Sequence, residues 1–363
     1  MPDRENQHAV SRRPSRRQHN LPTIADVARA AGVSAMTVSR VINGESNVRP
    51  ATRDGVNAAI KALNYTPNPA ARSLAGAGQL RIALLYSNPS AGFLGEFLVG
   101  SLEQAARSDV QLIFEKCEIG DHELEVVNDL IERGIDGVVL PPPLNESAAV
   151  LDLLTKARVP TALVASAQPP EDLIAVSIDN RDAALTMTSH ILALGHRRVG
   201  FIEGDTNQTA SVARLEGYRA ALDAVGIAFD PQLVANGLFT YRSGLDAAEE
   251  LLDRADPPSA IFASNDDMAA ATVAVAHRRG LDVPGDITVC GFDDTLLATA
   301  IWPELTTIHQ PIADMARAAI EMLVGSIRRK DGAPGPDHRL LDFTLIRRQS
   351  DAAPRRRPRT VTA

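Results

Sequence analysis

The sequence predicts an α/β fold: two doubly wound parallel-sheet subdomains preceded by a small all-α headpiece. The prediction rests on a change of hydrophobic period and on a split of charge. Up to about residue 64 apolar residues recur at helical spacing, whereas from residue 80 short apolar runs of strand length alternate with helical segments. Residues 1–78 hold eleven Lys/Arg against five Asp/Glu, a net of +6, which leaves −14 on the remainder of a chain whose total is −8. A basic end of this kind is suited to a polyanion, while the acidic body stays away from it. At 363 residues the chain has room for two or three domains, each with ample core.

The first elements lie in "TIADVARAAGVSAMTVSRVING", Thr23 to Gly44. Thr23 with Asp26 three residues on reads as a capping box, Asp standing in for the usual Glu, and Ile24, Val27, Ala28 and Ala31 follow at helical spacing. Gly32 supplies a left-handed helix end and Ser34 caps a second helix, on which Val38, Val41 and Ile42 share a face. Ala35, Met36, Thr37, Ser39 and Arg40 face elsewhere, and Asn43 and Gly44 end the helix. Pro50 fits a first helical position, and Val56, Ala59, Ile60 and Leu63 mark a third helix. Two short helices about a tight turn, the second with a polar outer face, form a helix-turn-helix. The competing reading is an ordinary helical hairpin; the third helix, which completes a miniature domain, argues against it.

"YTPNPAARSLAGAG", Tyr65 to Gly78, is a linker with one short helical stretch, Pro69 to Leu74. Residues 1–20 carry Arg12, Arg13, Arg16 and Arg17 without an apolar run, so they read as a disordered basic tail rather than a signal peptide, with nonspecific phosphate contact as the second reading; "RRRPR" near the C-terminus invites the same two readings. No stretch approaches eighteen apolar residues, which excludes a membrane-spanning helix. Cys117 and Cys290 lie in apolar strand-like runs as reduced core residues, and the eight histidines show no metal-ligand spacing. These features point to the cytoplasm, with no metal or cofactor.

The strand runs are "LRIALLYS", "VQLIFEKCE", "DGVVLPP", "PTALVA", "RRVGFIEG", "SAIFASND" and "DITVCGFDD", separated by helices such as "FLVGSLEQAARS", "LTMTSHILALG" and "VARLEGYRAAL". Near-continuous apolar strands alternating with helices imply parallel sheets covered on both faces. Ligands of such sheets bind beyond the carboxyl ends of the strands, so the loops there carry the chemistry. Those loops hold Phe93, Asn145, Arg214, Phe239, Asn265 with Asp266, and Asp293 with Asp294. An aromatic floor with Arg, Asn and Asp around it is the chemistry of carbohydrate recognition, the Arg acting as a bidentate donor. Asp266 has a second reading as the cap of a helix starting at Met268, and Asp294 as a loop or cap residue. An enzyme reading fails on the absence of a general acid partner, a Walker-type loop and a nucleophile elbow.

The string "TIADVARAAGVSAMTVSRVING…YTPNPAARSLAG" resembles the DNA-binding headpiece and hinge of the LacI/GalR family of transcriptional regulators. The resemblance runs from Thr23 to about Arg348, the core motifs following the family's order. It implies a periplasmic-binding-protein-like core with an effector cleft between its subdomains. The expected division is a tail at 1–20, a headpiece at 21–66, a hinge at 67–78, a core at 79–350 and a tail at 351–363. Within the core, one subdomain takes 79–177 plus 308–340 and the other 178–307 plus 341–350. A periplasmic sugar-binding protein would share this core, but not the headpiece.

On this resemblance Arg214, Phe239, Asn265 and Asp293 occupy effector-contact positions, and Asn145 falls where some sugar-binding members have an acidic residue. On the DNA side Thr23, Ser34, Thr37, Ser39 and Asn43 position the helix on phosphates, while Ala35, Met36 and Arg40 read bases, Arg40 gripping guanine O6 and N7. Asn47, Tyr65, Asn68 and Leu74 complete the DNA-contact set. Two hinges pair as short helices in the minor groove, each Leu74 wedged at a central base step. A deformable pyrimidine–purine step, CG, is expected there. The implied protein is a homodimer on a near-palindromic operator, a repressor of carbohydrate-utilisation genes answering to a sugar-like effector. A nucleobase effector and co-repressor-dependent binding are the alternatives.

Overall fold

The computed structural model describes residues 22–42, 48–63, 79–87, 89–118, 120, 122–329 and 337–355, and the chain divides into two units, Met1–Gly78 and Gln79–Ala363. In the first unit, helices α1 (Ile24–Ala31), α2 (Ala35–Ile42) and α3 (Pro50–Ala62) follow the sequence signals. Thr23 Oγ1 accepts from the Asp26 N–H at 3.4 Å, and the Asp26 carboxylate accepts from the Thr23 N–H at 2.9 Å, closing the capping box. Gly32 ends α1 at φ 64°, in the left-handed region that glycine enters without a steric penalty. Ser34 Oγ takes the Thr37 N–H at 3.2 Å and so caps α2. Val27, Ala28, Val38, Val41, Val56 and Ala59, two from each helix, form the small shared core.

The second unit contains two six-stranded sheets. The first comprises β1 (Leu80–Tyr86), β2 (Val110–Lys116), β3 (Gly137–Leu140), β4 (Thr161–Val164), β5 (Ile174–Ser177) and β11 (His338–Leu340), in the order β11-β5-β4-β3-β1-β2. The second comprises β6 (Val199–Glu203), β7 (Val234–Asn236), β8 (Ala260–Ala263), β9 (Thr288–Asp293), β10 (Thr306–His309) and β12 (Thr344–Ile346), in the order β12-β10-β9-β8-β6-β7. Every neighbouring pair is parallel except β10 with β12, an antiparallel edge.

Helices α4 (Ala91–Ser108), α5 (Glu123–Glu132), α6 (Ala148–Lys156) and α12 (Ile312–Arg328) flank the first sheet. Helices α7 (Asn180–Ala193), α8 (Thr209–Ala224), α9 (Tyr241–Leu252) and α10 (Asp266–Arg278) flank the second, and α11 (Leu297–Ala300) follows β9. The two-residue period of a strand explains the continuous apolar runs. In β1, Ile82 and Leu84 join Phe97 of α4 and Met315 of α12, while Ala83 and Leu85 join Val127 of α5 and Val150 of α6. In β8, Phe262 packs with Tyr218 of α8 on one side and Ile261 with Leu251 of α9 on the other.

The chain passes between the sheets after β5, after β10 and between β11 and β12. The second passage falls after His309, two residues beyond the expected limit at 307, because β10 stays paired with β9 through His309–Asp293. The C-terminal limit also moves. The sequence assigned 351–363 to a tail, but Asp351 is buried, bonded to His190 Nε2 at 2.8 Å and to Thr306 Oγ1, and Arg355 pairs with Asp282 and Asp286 at 2.7 and 2.9 Å. Those partners lie far off in sequence, so the segment reads as tail until folded. Cys117 and Cys290 are free and buried. Among the described residues no helix is long and apolar enough to cross a membrane.

Candidate functional site

The carboxyl ends of both sheets open onto one cavity of about 370 Å³, counting its open mouth. From the first sheet it is lined by Ser90 and Phe93, which follow β1, Pro142 after β3 and Ala165 after β4. The second sheet contributes Gln208, Ala210 and Arg214 beyond β6, and Phe239 beyond β7. Asn265 follows β8, Asp293 ends β9 and Gln310 follows β10. Each sheet reverses its winding at β1 and β6, so the cavity sits at two facing switch points.

Arg214 is held by α8 and is 4 % exposed. Its Nε donates to Asn180 Oδ1 at 2.9 Å, its Nη1 donates to the Ser264 carbonyl, and the guanidinium lies 3.6 Å from the centroid of the Phe292 ring. No hydrogen bond among the described residues uses Nη2. Burial pulls its pKa down to about 10, against the opposing pull of Asp293 and Asp266, so the group stays cationic at neutral pH.

Asp293 is 5 % exposed, and its Oδ1 accepts from Gln310 Nε2 at 3.0 Å. Burial raises its carboxyl well above the ordinary value, while the Arg214 charge acts in the opposite direction. The loops are strained where they meet the cavity. Ala165 (φ 61°), Phe239 (φ 58°), Asp293 (φ 111°) and Asp294 (φ 61°) are four of seven non-glycine residues with positive φ among the described residues. A Cβ at Gly204 would overlap the Phe239 ring, so that position must be glycine for the ring to lie where it does.

Three expected site residues have structural tasks. Asn265 is the N-cap of α10: its Oδ1 accepts from Met268 N–H at 3.0 Å and its Nδ2 donates to the Phe239 carbonyl at 3.0 Å. This corrects the reading of Asp266 as the cap. Asp266 is instead fully buried beneath the loop, accepting from the Thr295 N–H at 2.8 Å, Thr295 Oγ1 at 3.2 Å and Thr307 Oγ1 at 2.7 Å, and burial pushes its carboxyl up to about 7. A Cβ at Gly291 would collide with that carboxylate. Asp294 bonds His309 at 3.1 Å and Arg348 at 2.5 Å.

Asn145 stands apart from the cavity lining. It is 2 % exposed in a 3-10 turn, and its Nδ2 donates to the Val164 carbonyl at 2.8 Å. Phe93 lines the cavity from the first turn of α4 and stacks on Phe97 with centroids 6.4 Å apart.

Sequence reasoning missed Ser90, Gln208 and Gln310, and two bridges across the cleft. Ser90 Oγ, which also caps α4, donates to Asp267 Oδ2 at 2.6 Å. Thr209 Oγ1 donates to Glu146 Oε1 at 2.6 Å and accepts from the Ala167 N–H at 3.0 Å. The rule that strand-end loops carry the chemistry would have found Gln310, directly after β10. The bridges left no sequence signal.

In the headpiece, the cap Ser34 and Ala35, Met36 and Arg40 of α2 are exposed, Met36 at 63 %, while Thr37 and Ser39 are half-buried beside Val38 and Val41. The Thr23 hydroxyl donates to Asp26 Oδ2 at 2.7 Å, and those of Ser34 and Thr37 lie 2.9 Å apart. Asn43, Asn47, Tyr65, Asn68 and Leu74 lie outside the described residues.

A helix-turn-helix carried by the same chain as a two-subdomain ligand cleft defines an effector-binding regulator of transcription. Residues 23–68 match the family described as bacterial regulatory proteins, lacI family, and residues 188–350 match the periplasmic binding protein-like domain. The chain is 34% identical over 303 residues to catabolite control protein A of Priestia megaterium, covering 83% of this chain and 91% of that one. The structure of a transcriptional regulator CelR–cellobiose complex is similar at TM-score 0.70 and 34% identity, over 91% of this chain and 99% of that one. The lac repressor dimer bound to operator and the anti-inducer ONPF is similar at TM-score 0.70 and 27% identity, over 92% and 99%. The chain belongs to the lacI family of bacterial regulatory proteins.

Proposed function

We propose that the protein is a homodimeric repressor of carbohydrate-utilisation genes, with no catalytic activity, acting in the cytoplasm on a near-palindromic operator and answering to a small neutral sugar in the cleft. The observation that carries the sugar reading is the opposition of Arg214 and Asp293 in one cavity with the rings of Phe93 and Phe239. A buried guanidinium donor and a buried carboxyl on one cavity suit a ligand rich in hydroxyls, and the rings suit the C–H faces of a sugar. The CelR complex, whose ligand is cellobiose, supports the same class. Phe93, Arg214, Phe239 and Asp293 are the effector contacts in this reading; Asn265 acts through its cap, and Asn145 from behind β4. The experiment is a thermal-shift screen of sugars and sugar phosphates on the full chain. A shift with neutral sugars is expected; a response to nucleobases or sugar phosphates alone sinks the reading.

On DNA, the exposed face of α2 enters the major groove, with Arg40 and Met36 reading bases and Thr23, Ser34, Thr37, Ser39, Asn43 and Asn47 setting its position. Ala35 offers apolar contact to a thymine methyl. Tyr65 and Asn68 contact the duplex where the chain turns into the hinge, and paired Leu74 side chains wedge at a central CG step. The lac repressor, a dimer on its operator, supports the two-fold arrangement. Selection from a random duplex library is expected to return an inverted repeat with CG at its centre. Recovery of a single unrepeated half-site would refute the dimeric reading.

A further inference from the structure

Two bridges join the subdomains across the cleft, and both pair a hydroxyl with a carboxylate. Ser90, the N-cap of α4 in the first subdomain, donates to Asp267 Oδ2 of the second at 2.6 Å. Thr209, the first residue of α8 in the second subdomain, donates to Glu146 Oε1 of the first at 2.6 Å and accepts from the Ala167 N–H at 3.0 Å. The arrangement is reciprocal: each subdomain sets one carboxylate at the N-terminal end of a helix of the other, the end that favours negative charge. Ser166 Oγ, at 3.2 Å, steadies Glu146 Oε1 from its own side. All of these bonds are made between groups of the chain itself, so none needs a ligand to complete it. A further contact is steric. Gly92, in the first turn of α4, lies so close to the loop after β9 that a Cβ there would come within 2.9 Å of Thr295 Cβ. Glycine weakens a helix relative to alanine, and at this position its bareness is what lets the subdomains meet.

We propose that the core carries its own latch: the Ser90–Asp267 and Glu146–Thr209 bridges hold the cleft closed before an effector enters, and Gly92 leaves the room that closure needs. Closure in advance puts the cavity walls in place without help from the ligand, which favours affinity. It also makes entry wait until both bridges part, which slows association. The latch goes beyond the sugar reading and acts on whichever small molecule the cleft takes.

The test is a distance measurement by double electron–electron resonance on the full-length protein with no sugar added. Spin labels are placed through Glu125→Cys and Arg242→Cys, in the first turns of α5 and α9, which start at the cleft-facing ends of β2 and β7. Both side chains are exposed, and the native Cys117 and Cys290 are buried. The latched protein is expected to give one narrow distribution. Asp267→Ala combined with Thr209→Val removes one partner of each bridge without touching the cavity lining, and should shift the distribution to longer distances. Gly92→Ala, which breaks no side-chain hydrogen bond but wedges the same seam, should lengthen the distance as well. Thr209→Ser keeps the hydroxyl and should leave the wild-type distance in place. An unmoved distribution in the double variant would overturn the proposal, and an unmoved one in Gly92→Ala would remove the glycine from the latch. Should circular dichroism show the double variant unfolded, Gly92→Ala alone decides, and an unmoved distance overturns the latch. None of these outcomes depends on a sugar, so the sugar reading stands or falls separately.

Discussion

In the headpiece, polar side chains find partners three residues away, Thr23 with Asp26 and Ser34 with Thr37. In the cleft the partners are remote: Arg214 reaches Asn180 and Ser264 at separations of 34 and 50 residues, and Ser90 meets Asp267 across 177. The headpiece leaves Ala35, Met36 and Arg40 exposed on α2, with a core of valines and alanines beneath; the cleft buries its charges and sets them against aromatic rings. The difference teaches where recognition is independent of folding. A contact on an exposed helical face can be removed without disturbing the core below it. A buried cation whose bonds tie α7 and α8 to the loop after β8 cannot be removed without loss of stability as well as of ligand.

The largest effect that would test this contrast is expected at Arg214. Arg214→Ala leaves Asp293 buried without its counter-charge, and should lower core stability by about 3–5 kcal/mol while abolishing any sugar-induced thermal shift. Denaturant melts monitored by circular dichroism, with and without sugar, measure both. An unchanged melt would mean that the cleft behaves like the headpiece, and the contrast would fail.

Asp266 sharpens the contrast through pH. Its carboxyl is raised from 3.8 to about 7 in the folded state, so between those values the folded chain holds a proton that the unfolded chain has released. The sign follows: the contribution is fully present below about pH 4 and is lost as pH rises through about 7, at about 1.4 kcal/mol per unit. Asp266→Asn should flatten that slope in melts taken between pH 4.5 and 7.5. Asp293, raised in the same direction, keeps part of the slope in the variant. A slope of opposite sign would show that the carboxylate is ionised in the fold.

On the headpiece side the effects are smaller and do not reach the core. Arg40→Ala should cost about 1–3 kcal/mol on the selected operator and relax preference at one base pair per half-site, with the core melt unmoved. Equal weakening on random DNA would make Arg40 a phosphate contact. The smallest effect is expected at Thr23, where Thr23→Ala removes the cap of α1 and should lower headpiece stability by about 1 kcal/mol. A change in the core transition with Thr23→Ala would show that headpiece and core do not fold independently.

The headpiece was legible because its determinants are local. A capping box, a left-handed glycine, a capping serine and helical spacing lie within a window of about twenty residues, and the structure reproduces each of them. The alternation of buried strands and helices was legible for the same reason, since each strand declares its two buried faces in its own residues. The loops beyond the strand ends were also found, because a parallel sheet puts its ligand there whatever the side chains are.

Roles within those loops were decided by tertiary structure alone. "SND" offers an Asn and an Asp in succession, and nothing local says that Asn265 caps α10 while Asp266 turns under Thr295 and Thr307. The choice depends on β9, which lies beside β8, and on β10 beyond it, an order that exists only after folding. Likewise, Asn145 looked like a loop residue of the cleft until Val164 supplied its carbonyl partner, and Asp351 looked like tail until His190 and Thr306 enclosed it. Sequence by itself determined the elements, because secondary structure follows from the period and propensity of neighbouring residues. Which polar group faces the cavity and which one holds the wall was left to the fold, because a buried hydrogen bond is satisfied by whatever donor or acceptor the packing brings within about 3 Å, however distant in the chain.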